Sequence, residues 1–113
     1  MSDDDLFRVR VAKNEVAFRE VNESIRSGRQ IADANRRFYL CCECGRIGCS
    51  KLIEVPLAVY EQVRSNPRRF FVLDGHEIPE VEDVVERHAE YLLVQKRDLG
   101  GRVAEANDPR SIT

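Results

Sequence analysis

Four residues constrain this chain more than any others: Cys41, Cys42, Cys44 and Cys49 fall within nine positions and are its only cysteines. Cysteines this close together cannot close the long loops that make a disulfide framework worthwhile. The start, Met1-Ser-Asp-Asp-Asp5, is acidic where a secretory signal needs a basic residue and then an apolar stretch. No apolar run approaches the ~18 residues of a membrane span. The expectation is a cytoplasmic chain with no membrane association, and there dense cysteines bind metal or do redox chemistry. Among Cys42, Cys44 and Cys49 the redox spacing C-x-x-C does not occur. From Cys42 the pattern is C-x-C-x4-C.

Zinc takes four tetrahedral ligands and binds soft thiolates well. Cys42 and Cys44, two residues apart, project to the same side of an extended segment and can reach one ion. Gly45 and Gly48 give the backbone freedom that brings Cys49 back to it. Cys41 precedes Cys42 directly and points to the other face of a strand, so three cysteines leave one place to fill. His76, just after the Asp74-Gly75 turn, is the favoured fourth ligand, with Cys41 as the alternative; His88, the only other histidine, lies in a charged turn. A catalytic zinc site would need an open position and a general base. His76-Glu77-Ile-Pro-Glu80 has no second histidine for H-E-x-x-H, and Pro79 would break the helix that motif requires. The deaminase pattern H-x-E with P-C-x-x-C is missing as well. Glu77 therefore reads as a supporting or surface residue. The expectation is no enzyme and no small-molecule substrate, but one structural Zn2+ per chain on Cys42, Cys44, Cys49 and His76.

The rest of the chain reads as a small α+β unit around that site. At 113 residues and 13.0 kDa there is room for one modest core. Phe7, Val11, Phe18, Val21 and Ile25 fall on one stripe, which predicts an amphipathic helix over about 7–26 with Lys13, Glu15, Arg19, Glu20 and Glu23 on its solvent face. Residues 28–37 read as a loop or a short helical turn. Phe38–Cys41 and Lys51–Val55 read as the strands of a hairpin whose tip carries the cysteines. Pro56 suits the first position of a short helix to about Asn66 with Leu57, Tyr60 and Val63 inward. Phe70–Leu73 is an apolar strand, and Val81–Glu86 with Tyr91–Lys96 predicts a second hairpin. Gly100-Gly101 reads as the start of a polar tail. The expected organisation is a helical arm over 1–37, a zinc-binding α+β domain over 38–98 and a tail over 99–113.

One pattern joins these pieces. Cys42-Glu-Cys-Gly-Arg-Ile-Gly-Cys49, Ile53-Glu-Val55, Tyr60-Glu-Gln-Val-Arg64, Asn66-Pro-Arg-Arg-Phe70, Gly75-His-Glu77 and Asp108-Pro-Arg110 together resemble a family of small zinc-binding bacterial proteins of high-GC bacteria. Asn14-Glu15 and Arg19-Glu-Val-Asn22 are similar to it too, so the resemblance spans about residues 12–110. It implies a zinc finger-like site on Cys42, Cys44, Cys49 and His76, treats Cys41 as an extra, and implies no particular activity.

Charge distribution bears on partners. Net charge is −2 overall. Residues 38–73 carry five basic side chains (Arg46, Lys51, Arg64, Arg68, Arg69) against three acidic, while residues 74–113 carry five basic against ten acidic. Two readings follow. The amphipathic N-terminal helix favours a protein partner or self-association, and with it an interaction or regulatory module. The second choice is a zinc-stabilised nucleic-acid binder that uses those five cations. Against it stand the negative total charge and the lack of a paired-aromatic RNA-reading signature.

Overall fold

In a computed structural model, which describes residues 2–29, 33–46 and 48–111, the chain is an α+β fold. Helix α1 (Asp3–Arg29) precedes strands β1 (Arg37–Cys41) and β2 (Leu52–Pro56). Helix α2 (Leu57–Arg64), strands β3 (Arg69–Val72), β4 (Glu82–Arg87) and β5 (Leu92–Lys96), and helix α3 (Asp98–Ala106) follow, with a final 3-10 turn over Pro109–Ser111. β1 and β2 form a two-stranded antiparallel sheet in which Phe38 faces Val55 and Cys41 faces Leu52. The second sheet has the order β3-β5-β4, also antiparallel, with Phe71 opposite Leu93. Among the described residues no helix is long and apolar enough to cross a membrane.

Aromatic rings join the two sheets through α2. Tyr60 meets Phe38 edge-on at 5.5 Å and stacks on Phe71 at 5.9 Å. The period-2 pattern of β1 sends Phe38 and Leu40 into this core and leaves Tyr39 outside, as alternation on a half-buried strand requires. Both predicted hairpins and the central helix are present. The helix is shorter than expected at both ends: Pro56 ends β2 and caps α2, and Ser65 closes the helix after Arg64.

The predicted solvent face of α1 holds for Lys13 and Glu20 and fails for Glu15 and Arg19. Glu15 and Arg19, assigned to solvent, are fully buried with Asn22, whereas Phe7 and Val21 from the expected apolar stripe are 44% and 47% exposed. The face that packs carries Val11, Ala12, Glu15, Val16, Arg19 and Asn22, about one residue around the helix from the apolar count. Each buried polar side chain finds its partner far along the chain: Glu15 on Lys96, Arg19 on the Ala104 and Pro67 carbonyls, Asn22 on Cys41 and Glu43. Burying such groups is tolerable only when they are paired, and apolar periodicity carries no trace of those pairings. The helix expected as an N-terminal arm packs back on its own domain: α1 lies along α3 and against β1.

Helix α3 (Asp98–Ala106) occupies the start of what was expected to be a polar tail over 99–113. A Gly-Gly pair costs about 2 kcal/mol of helix propensity relative to alanines, which is why it reads as a stop. Close packing overrides that here. Both glycines are buried, and a Cβ on Gly101 would meet the Arg68 guanidinium, which binds Glu105 one turn on. Of the predicted loop over 28–37, Gly28 and Arg29 close α1 and residues 30–32 lie outside the described residues.

Candidate metal centre

The Sγ atoms of Cys42, Cys44 and Cys49 and a ring nitrogen of His76 all lie within 4.8 Å of one another. Two segments deliver them. Cys42 follows β1 directly, and its N–H donates to the Lys51 carbonyl at 3.0 Å, extending the hairpin ladder by one rung. Gly45 then turns at φ +73 against α1, where a Cβ would meet Glu15 Cγ at 2.9 Å and Asn14 Cβ at 3.1 Å. Only glycine fits both the left-handed backbone and the gap. The Cys49 N–H donates to the Arg46 carbonyl at 3.1 Å and closes the loop.

The second segment is the turn after β3. The His76 N–H donates to the Leu73 carbonyl at 2.9 Å across Asp74-Gly75, and Glu77 accepts the Gly75 N–H at 2.7 Å. Glu77 thus holds the turn that aims His76. The Leu73 N–H donates to Cys42 Sγ at 3.3 Å, a bond that favours a thiolate there.

His76 Nδ1 is 3.6 Å from Cys42 Sγ and 3.7 Å from Cys49 Sγ. With metal–sulfur bonds of about 2.3 Å and metal–nitrogen bonds of about 2.0–2.1 Å, a tetrahedral zinc site has sulfur–nitrogen edges of about 3.5–3.6 Å. The two edges match that length within about 0.2 Å. Burial pushes the Cys42 and Cys44 thiols up from their ordinary value. At Cys49 burial is outweighed by the Lys51 backbone N–H and the neighbouring thiols, and the thiol sits lower. Three thiolates so close need a cation to be stable together, and binding one expels their protons. The donor set is therefore compatible with a metal ion.

Cys41 stays outside the cluster. It is half-buried on the other side of β1, opposite Leu52. Cys41→Ser is accordingly expected to keep its metal and Cys44→Ser to lose it, as read by metal content after desalting. Equal loss in both variants would contradict this geometry.

The other singled-out residues scatter. His88 stacks on Tyr91 at 4.6 Å and meets Glu86 at 3.0 Å, apart from the cluster. Arg64 is buried between Asp108 and Glu23, 2.5 Å and 3.1 Å away, so it is not on a surface that nucleic acid could touch. Arg68 binds Glu105, and Arg69 binds Gln95 and lies 3.8 Å from Glu86. Arg46 and Lys51 are exposed.

Two buried polar groupings were not anticipated. Glu43, between two of the cysteines, is fully buried, and burial raises its carboxyl above the usual range against the pull of Asn22, the Phe71 N–H, Arg19 and Arg64. Lys96 lies buried between Glu15 at 2.6 Å and Glu82 at 2.8 Å. The only hint in the sequence is the helical spacing of Glu15, Arg19 and Asn22, which reads equally well as a solvated face. No protein-family model matches the chain, and no curated protein or solved structure matches it significantly.

Proposed function

We propose that Cys42, Cys44, Cys49 and His76 hold one Zn2+ in a closed structural site, and that the protein is a zinc-stabilised, non-enzymatic interaction or regulatory module. The observation that carries this reading is the convergence of four donors from two distant segments to within 4.8 Å of one another. Three sulfurs and one imidazole complete a tetrahedral sphere and leave no position for a reacting water. The carboxylates adjacent to the ligands in sequence are both occupied, Glu77 with the Gly75 N–H and Glu43 with Asn22 and the Phe71 N–H. The resemblance noted in the sequence implies the same donor set.

A site of this kind acts through the fold. Apparent binding energies of structural zinc in small peptides are about 10–16 kcal/mol, as large as the whole stability of a small domain. The interaction reading draws on α1, whose outer face leaves Leu6, Phe7 and Val21 exposed beside its buried stripe. Exposed apolar side chains along the outer side of one helix suit a protein partner or a second copy.

Native mass spectrometry is expected to find one zinc per chain, and the same spectra give the oligomer number. X-ray absorption at the zinc edge is expected to show three sulfurs and one nitrogen. Four sulfurs would remove His76 and bring Cys41 in. An oxygen ligand would reopen a catalytic role.

A further inference from the structure

We propose that Asn22 and Glu43 are positioning residues of the metal centre, coupling its occupancy to the docking of α1. The inference rests on the metal reading above. Glu43 is the single residue between ligands Cys42 and Cys44, and it is fully buried. Its N–H donates to the Phe71 carbonyl at 2.7 Å, and its Oε1 accepts the Phe71 N–H at 2.9 Å. Its Oε2 accepts from Asn22 Nδ2 at 2.8 Å. Asn22, on α1, also holds both sides of the Cys41 backbone: Oδ1 accepts the Cys41 N–H at 2.7 Å, and Nδ2 donates to the Cys41 carbonyl at 2.9 Å. One carboxamide thus stands where a neighbouring strand would pair with β1, at the residue before the first ligand.

Gly45 seats the other end of this segment on α1 at Asn14 and Glu15. The backbone carrying Cys42 and Cys44 is therefore held at Cys41, Glu43 and Gly45, twice by the Asn22 side chain. A bare C-x-C segment would lose conformational freedom on binding an ion; here α1 and β3 have already removed it. Groups that orient metal ligands from behind typically change affinity 10–100-fold when altered. Linkage makes the effect reciprocal: whatever α1 docking adds to metal affinity, bound metal adds to α1 docking.

The test uses the full chain, with Zn2+ affinity measured by competition with a chromophoric chelator. Hydrogen exchange over residues 3–29 is followed with and without zinc. Asn22→Asp sets two carboxylates against each other and is expected to weaken zinc binding roughly 10–100-fold. Asn22→Asp combined with Glu43→Gln reverses donor and acceptor and should recover at least half of that loss on a logarithmic scale. Glu43→Gln alone, should Asn22→Asp not fold, leaves a donor facing a donor whichever way its amide turns and is also expected to weaken binding. Tyr60→Phe removes another α1 contact, the 2.8 Å bond to Glu23, without touching the ligand segment, and should stay within about twofold of the parent. Exchange in α1 should slow when the parent takes up zinc and respond less in Asn22→Asp. Zinc affinity within twofold of the parent in Asn22→Asp and Glu43→Gln would overturn the proposal, and so would a double variant no tighter than Asn22→Asp. A parent that binds no zinc would overturn the metal reading itself, and this proposal with it.

Discussion

His76→Ala is expected to lose zinc and to melt lower than the parent by well over the roughly 4–8 °C that corresponds to a 1 kcal/mol defect in a domain of this size. His76 lies 27 residues beyond Cys49 and 34 beyond Cys42. An ion bound to all three closes a loop that contains β2, α2 and β3. Closing a loop of that length costs chain entropy that the aromatic core must otherwise offset, and that core is modest. Removing the imidazole leaves the three sulfurs on one short segment with an open fourth position, so the long-range clamp is gone even if some metal lingers. His88→Ala is the control. Its ring is 40% exposed, stacks on Tyr91 and meets Glu86, so its melting temperature should fall little. Chelator added to the parent should bring its melting curve towards that of His76→Ala and leave the variant's curve unchanged. If His76→Ala melts with the parent and retains zinc, the ion is a local feature of the first hairpin.

Lys96→Met is expected to be the most damaging single change outside the metal centre. Lys96 Nζ lies 2.6 Å from Glu15 and 2.8 Å from Glu82, and all three side chains are essentially excluded from water. Breaking a buried ion pair by removing one partner typically costs about 3–5 kcal/mol. Here two carboxylates stay behind, so the loss should reach the upper end of that range, on the order of 20 °C in melting temperature. The pH dependence identifies the cause. Burial holds the Glu15 carboxyl well above its usual range, against the pull of Lys96. A carboxyl raised in the folded state binds its proton more tightly there than in the unfolded chain. Its contribution to stability is therefore present at low pH and lost as pH rises through the folded value. Without Lys96 that value rises further, so the deficit against the parent should be largest above neutrality and shrink towards pH 5. Comparing both proteins at each pH removes the common effect of acid on the thiolates. Glu15→Gln in the Lys96→Met background should recover part of the loss at pH 8. An equal deficit at pH 5 and pH 8 would assign the cost to lost packing of the lysine stem instead of charge.

Local patterns carried much of this protein. The β-prone runs around Phe38–Cys41 and Tyr91–Lys96, the turn at Asp74-Gly75 and the short helix after Pro56 are all where chain-local stereochemistry places them. The four candidate ligands were legible too: thiolate spacing is a local property, and a chain with two histidines offers few fourth donors. Gly100-Gly101 misled, because its intrinsic cost is visible in the sequence and the packing of α3 against α1 and β5 is not.

What the sequence alone determined, then, is the α+β class and the residues competent to bind metal, since both follow from propensity, alternation and donor chemistry over a few residues. What only the tertiary structure decided is which face of α1 is buried and what holds the cysteine segment in place. Glu15 meets Lys96 across 81 positions, and Asn22 meets Glu43 across 21. A polar side chain is read as solvent-facing until its partner is known, and these partners meet only once the chain has closed. Pairing then offsets the cost of burying these charges, and the need for those partners specifies the packing of α1.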